Sequence, residues 1–117
     1  VSACNPQIHV GDIGTLVGVV VEEFDETTGT CVSVDISAAE SMSITITRPD
    51  GTKFSRTAVF TTDGTDGQMH ILSVAGDFDA ANARSGKAWR RQGYVVLEAG
   101  VNEKRTEVVW FEVAENL

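Results

Sequence analysis

The chain has 117 residues, with 17 Asp and Glu against 9 Lys and Arg and a formal net charge of −8. That length suits one domain burying roughly two-thirds of its unfolded surface, and 42% hydrophobic with 22% charged residues excludes disorder on the whole-chain scale. The acidic balance argues against nucleic acid, whose phosphates need Lys and Arg, and against an anionic membrane surface.

Solubility is the plain meaning of the charge, and an acidic patch meeting a basic partner is the sharper one. No apolar run reaches the ~18 residues of a membrane-spanning helix; LVGVVV, Leu16–Val21, stops at Glu22 and Glu23. VSACNPQIHVGD carries neither a basic start nor a long apolar core, so no signal peptide is expected.

Residues 1–12 have little patterning and read as an N-terminal arm, with the domain running over 13–117. The arm is expected to order only against a neighbouring subunit. Ile13–Phe24 reads as a first long strand, DETTGT as a turn and Cys31–Ser37 as a second, short strand. SMSITITR, Ser41–Arg48, alternates strictly, with Met42, Ile44 and Ile46 on one face and Ser43 and Thr45 on the other. Pro49-Asp50-Gly51 turns the chain into a partner strand, Thr52–Phe60, which makes an antiparallel hairpin.

TTDGTDG, Thr61–Gly67, is the next turn, followed by a strand over Gln68–Val74. Ala75–Gly86 reads as a loop or a single helical turn. Gly86–Ala99 is a long strand with Trp89, Gly93, Val95 and Leu97 on one face, Gly93 marking a candidate bulge. Gly100–Lys104 is a hairpin turn and Arg105–Glu115 the last strand. There Val109, Phe111 and Val113 share the core face. Val108 and Trp110 fall on the other, where Trp110 is covered by a loop or sits in a protein interface. Seven strands without a helix-period segment predict an all-β, immunoglobulin-like antiparallel β-sandwich, with a small barrel as the alternative.

Asp50-Gly51, Asp63-Gly64 and Asp66-Gly67 raise the question of a cation site. A calcium loop needs oxygens at regular spacing and a closing bidentate Glu. Gln68, Met69 and His70 follow instead, and Asp77, Asp79 and Asn82 also lack the closing acid. Asp-Gly is abundant in turns because the backbone there takes positive φ, so these residues read as turn formers and no metal or cofactor is expected. His9 and His70 accompany no nucleophile motif and, with the two cysteines, do not make a zinc site. No catalytic residue is assigned and the chain is not expected to be an enzyme. Arg90 and Arg91 place one guanidinium on each face of their strand, where a solvated edge is the simpler reading than a partner carboxylate. Cys4 and Cys31 are a possible disulfide, which would contribute about 3 kcal/mol in the chain-entropy view. Two cysteines without an export signal are more often free thiols.

Several pieces in order carry a family resemblance: IHVGDIGT, ISAAESMSITITRPDGTKFSRTAVF, TDGTDGQMHI, AGDFD, GKAWRRQGYVVLEAG and FEVAENL. Together, from Ile8 to Leu117, the chain resembles the immunoglobulin-like domain of tailed-bacteriophage baseplate upper proteins and related virion proteins. No piece is specific alone, PDG and TDG being turn chemistry; the order and spacing are the signal. DETTGTCVSVDIS departs from that pattern by its length. The resemblance implies a noncatalytic structural component of the virion, assembled in the host cytoplasm. It implies partners among capsid or tail subunits, a homo-oligomer within the particle, and a role as capsid decoration or as tail or baseplate adaptor. Candidate interface residues are Val108 and Trp110 on the last strand and Ile8 and Val10 in the arm, and Cys4 is a candidate interchain contact. The alternative is a host receptor- or carbohydrate-binding module, which needs exposed aromatic platforms that Tyr94, Trp89 and Trp110 scarcely supply.

Overall fold

The computed structural model describes residues 8–79 and 88–114. Every regular element among them is a strand: β1 (Ile8–His9), β2 (Leu16–Val20), β3 (Glu22–Asp25), β4 (Thr30–Ser33), β5 (Ser41–Thr47), β6 (Lys53–Thr57), β7 (Val59–Phe60), β8 (Gln68–Leu72), β9 (Trp89–Glu98), β10 (Asn102–Arg105), β11 (Val109–Phe111) and β12 (Val113–Ala114). The larger sheet runs β10-β9-β5-β6, with β11 also paired to β9, and the smaller runs β2-β8-β7. All pairings within these two sheets are antiparallel.

One core lies between the sheets. The alternation seen in the sequence sends Val17, Val19, Met69 and Ile71 inward from the smaller sheet, against Ile44, Ile46, Trp89 and Val95 from the larger. Trp89 is fully buried, edge-on to Phe78 with ring centroids 5.7 Å apart and tilted against Phe111 at 6.0 Å. The expected inward face of β9 is therefore the observed one. Its glycine has a different role from the one expected. β5 and β9 pair without interruption from Ser41↔Val96 to Thr47↔Arg90, with Gly93 opposite Ile44, so there is no bulge there. A Cβ at Gly93 would lie 2.4 Å from Met69 Cε and 2.7 Å from Val19 Cγ2. Gly93 makes room for Met69 and Val19 of the facing sheet, and the register shift falls instead between Asn102 and Glu103 on β10.

Three expected long strands are broken, each where the chain changes partner. Ile13–Phe24 divides at buried Val21, whose N–H donates to Gly67 O at 2.9 Å while its carbonyl accepts from Val34 N at 2.9 Å. One residue thus leaves β8 and begins the β3-β4 hairpin. Thr52–Phe60 divides at buried Ala58, taking the chain from the larger sheet (β6) to the smaller (β7). Arg105–Glu115 becomes the end of β10, then β11, then β12, and β10 already begins at Asn102. Periodicity reports which residues face inward but not which neighbour supplies the hydrogen bonds.

Residues 8–12, expected to lie in an arm outside the domain, are built into it. Ile8–His9 pairs in parallel with Val113–Ala114, Val10 N–H donates to Ala114 O at 3.1 Å and Gly11 N–H to Phe78 O at 3.0 Å. The buried Ser73 hydroxyl donates to Asp12 O at 2.9 Å and accepts from Thr15 N at 3.0 Å. The expected loop after β8 is a turn over its described part, and its residues 80–86 lie outside the described residues.

Candidate interaction surfaces

The Asp-Gly aspartates are occupied by their own turns. Asp50 Oδ1 accepts from Thr52 N at 2.9 Å and Thr52 Oγ1 at 2.7 Å; Asp63 Oδ1 accepts from Thr65 N at 3.0 Å and Thr65 Oγ1 at 2.6 Å. Asp66 accepts from Gln68 N at 3.0 Å and Thr62 Oγ1 at 2.7 Å. The Thr65 hydroxyl and N–H together hold the Asp63 carboxyl below its ordinary value. Gly67 has φ 75°, and a Cβ there would meet Val21 O at 2.6 Å, so this turn admits only glycine next to the root of the β3-β4 hairpin. Among the described residues no group of three His, Cys, Asp or Glu side chains is arranged to hold a metal ion.

Asp77 is the one buried carboxylate among the described residues. Both Arg56 Nη atoms donate to it, at 2.7 and 2.9 Å, and Val74 N–H adds a third bond at 2.8 Å. Burial pushes this carboxyl up, but the Arg56 bonds, the Val74 N–H and the charges of Arg56 and Arg48 outweigh it and leave it below the usual range. Arg48 and Arg56 both lie over the Phe54 ring, at 4.8 and 5.3 Å, and Arg48 Nη2 donates to Asp77 O at 3.3 Å. This network ties the turn after β8 to the larger sheet.

A cleft of about 560 Å³ opens between β2, the β3-β4 hairpin and the β10-β11 side, lined among others by Val20, Phe24, Arg91, Glu107 and Val109. Bonds from Val21 N–H to Gly67 O and from Ser73 N–H to Thr15 O fix the alternation. The backbone groups of Leu16, Gly18 and Val20 therefore face away from β8, along a free edge. Arg91, pointing inward from β9, donates from Nε to Gly18 O at 2.8 Å and lies over the Phe111 ring at 5.2 Å. Burial lowers its pKa, and among the described residues no carboxylate pairs with it. An inward cation at a free edge blocks strand-to-strand addition.

The outer faces of the two sheets differ in kind. On the larger sheet the outward residues include Ser43, Thr45, Lys53, Ser55, Arg90, Gln92 and Tyr94, with exposed Trp110 of β11 opposite Arg90, and the Thr45 and Ser55 hydroxyls are hydrogen-bonded at 2.6 Å. Trp110 apart, that is an ordinary solvated face. On the smaller sheet the outward rows are Leu16, Gly18 and Val20 on β2, Leu72, His70 and Gln68 on β8, and Val59 on β7. Leu16, Leu72 and Val59 are 52%, 51% and 54% exposed, and exposed Ile13 and Val74 lie beyond one end. No Asp, Glu, Lys or Arg stands in these rows. The sequence held a signal: LVGVVV is apolar at consecutive positions, so both of its faces are apolar, not only the core-facing one.

Of the four candidate interface residues, Trp110 is 61% exposed beside exposed Val108, with Arg90 stacked over its ring at 5.3 Å. Ile8 and Val10 are half-buried against this chain's own core. Cys31 is an exposed free thiol on β4, and Cys4 lies outside the described residues. No family model, curated protein or solved structure matches the chain.

Proposed function

We propose that the chain is a noncatalytic structural component of a tailed-phage particle that works by adhering to other subunits. The carrying observation is the outer face of β2-β8-β7, where Leu16, Val20, Leu72 and Val59 are exposed and no Asp, Glu, Lys or Arg stands, on a chain of net charge −8. Exposed aliphatic side chains gathered on one face, with no formal charge among them, favour an interaction site. The sequence resemblance to phage immunoglobulin-like virion domains supplies the setting, and the strand orders β10-β9-β5-β6 and β2-β8-β7 are compatible with that layout. Capsid decoration and tail or baseplate attachment both fit this reading. Imaging of particles carrying a labelled copy tests it: label on the head shell assigns decoration, label at the tail tip assigns the baseplate, and unlabelled particles refute it.

Trp110 favours a second reading, a carbohydrate- or receptor-binding module, because its exposed ring is a platform for sugar stacking. Binding on a glycan array that is lost in Trp110→Ala would select this reading over the first.

A further inference from the structure

We propose that the outer face of the β2-β8-β7 sheet is a self-association surface, on which a second copy of this chain packs face to face about a two-fold axis. The inference rests on reading that face as an adhesive one, and it names the partner.

Two copies at −8 repel wherever their carboxylates meet, and the outward rows of this face hold none. The face is also regular. β2 and β8 pair from Leu16↔Leu72 to Val20↔Gln68 without a bulge, giving a surface that can stack on its own likeness at about 10 Å. The two ends differ: the Asp63 and Asp66 turn borders the Gln68 end, while Ile13 and Val74 border the Leu72 end. At the Leu72 end Asp77 is already paired with Arg56, which also reaches Leu72 O at 3.4 Å. A two-fold axis across the strands reverses one copy on the other. It sets each acidic turn over the partner's aliphatic end and keeps the two acidic turns apart.

Size sets the strength. Strands about 4.8 Å apart rising about 3.3 Å per residue give β2 and β8, of five residues each, and β7, of two, a footprint of ~200 Å². Even with the flanking Ile13 and Val74 side chains the pair falls short of the roughly 1,200 Å² at which standard specific interfaces begin. The dimer is therefore weak in dilute solution and is reinforced where a particle holds many copies together.

Sedimentation equilibrium of the purified chain between about 5 and 500 µM tests this, in reducing buffer so that cysteines cannot cross-link. The expected result is an average mass rising toward twice the monomer. Val59→Glu and Leu72→Lys, at half-exposed positions, should each weaken association at least tenfold with the melting temperature held. Ser55→Glu, on the polar face of the other sheet, should leave association unchanged. A monomer across the whole range overturns the inference, as does a dimer indifferent to both face variants. Dimerisation by a protein absent from labelled particles would sink the virion reading alone. Incorporation by a strictly monomeric protein would sink the dimer alone.

Discussion

At the scale of single residues, Gly93 and Asp77 show how one position can serve two sheets. Gly93→Ala puts a methyl group against Met69 Cε and Val19 Cγ2. The thioether end can swing aside; the branched Val19, 6% exposed on the opposite sheet, cannot. Overpacking of this kind costs about 1–3 kcal/mol, and denaturant titration should place Gly93→Ala in that range although alanine suits a strand no worse than glycine. Asp77→Asn removes a charge from a buried pair and should cost about 2 kcal/mol at neutral pH. Because the folded-state pKa of Asp77 is depressed, its stabilisation is fully present above the unfolded value, near 3.9, and is lost as pH falls through the folded value. The gap between wild type and Asp77→Asn should therefore be constant from about pH 5 upward and shrink below about pH 4. A gap that widened in acid would refute this account. Neither role was legible in the sequence: Gly93 resembled a bulge, and Asp77 one more acid of a loop, because sequence spacing does not show which residue approaches from another sheet.

At the scale of elements, the β3-β4 hairpin stands apart from the rest. Its register is regular, Glu22↔Ser33 to Asp25↔Thr30, yet nearly all its residues are exposed, Phe24 and Val32 among them. Beyond its own ladder it is held by Val21 and Val34 at the root and by a 2.6 Å ion pair from Lys104 to Glu23. A two-stranded ribbon with little packing is only marginally stable in water. Hydrogen exchange should find its amides opening locally, at least a hundredfold faster than those of β5 and β9, which flank the core. Equal protection would show that the hairpin unfolds only with the whole domain. The sequence did show an irregularity here, the long DETTGTCVSVDIS insertion, but its alternation was too weak to show that Ile13–Phe24 leaves one sheet at Val21 and starts another pairing.

For the whole molecule, the charge of −8 opposes compactness as well as association. The ion pairs described here are few, and Arg56–Asp77, the most buried, is screened least. Raising ionic strength from about 20 to 500 mM shortens the screening length to a few ångströms and should raise the melting temperature by a few degrees. A fall on adding salt would mean that attractive surface pairs outweigh the net repulsion. The same screening should strengthen self-association through the smaller sheet's outer face, since salt weakens repulsion without touching aliphatic contacts.

Alternation at Ser41–Arg48 and along the Trp89 strand was sufficient to set the all-β class and the inward faces, because side-chain period follows from backbone geometry alone. The Asp-Gly turns were equally local, their carboxylates bonding within two to four residues. Only the tertiary structure decided what depends on distant partners. It packed Ile8 and Val10 against the core, Ile8 beside Val113, broke the long strands at Val21 and Ala58, and left one sheet of the sandwich with a largely apolar outer face. These are matters of which strand lies beside which. Neighbours far apart in the chain are chosen by the burial of the whole core, not by any short stretch of it.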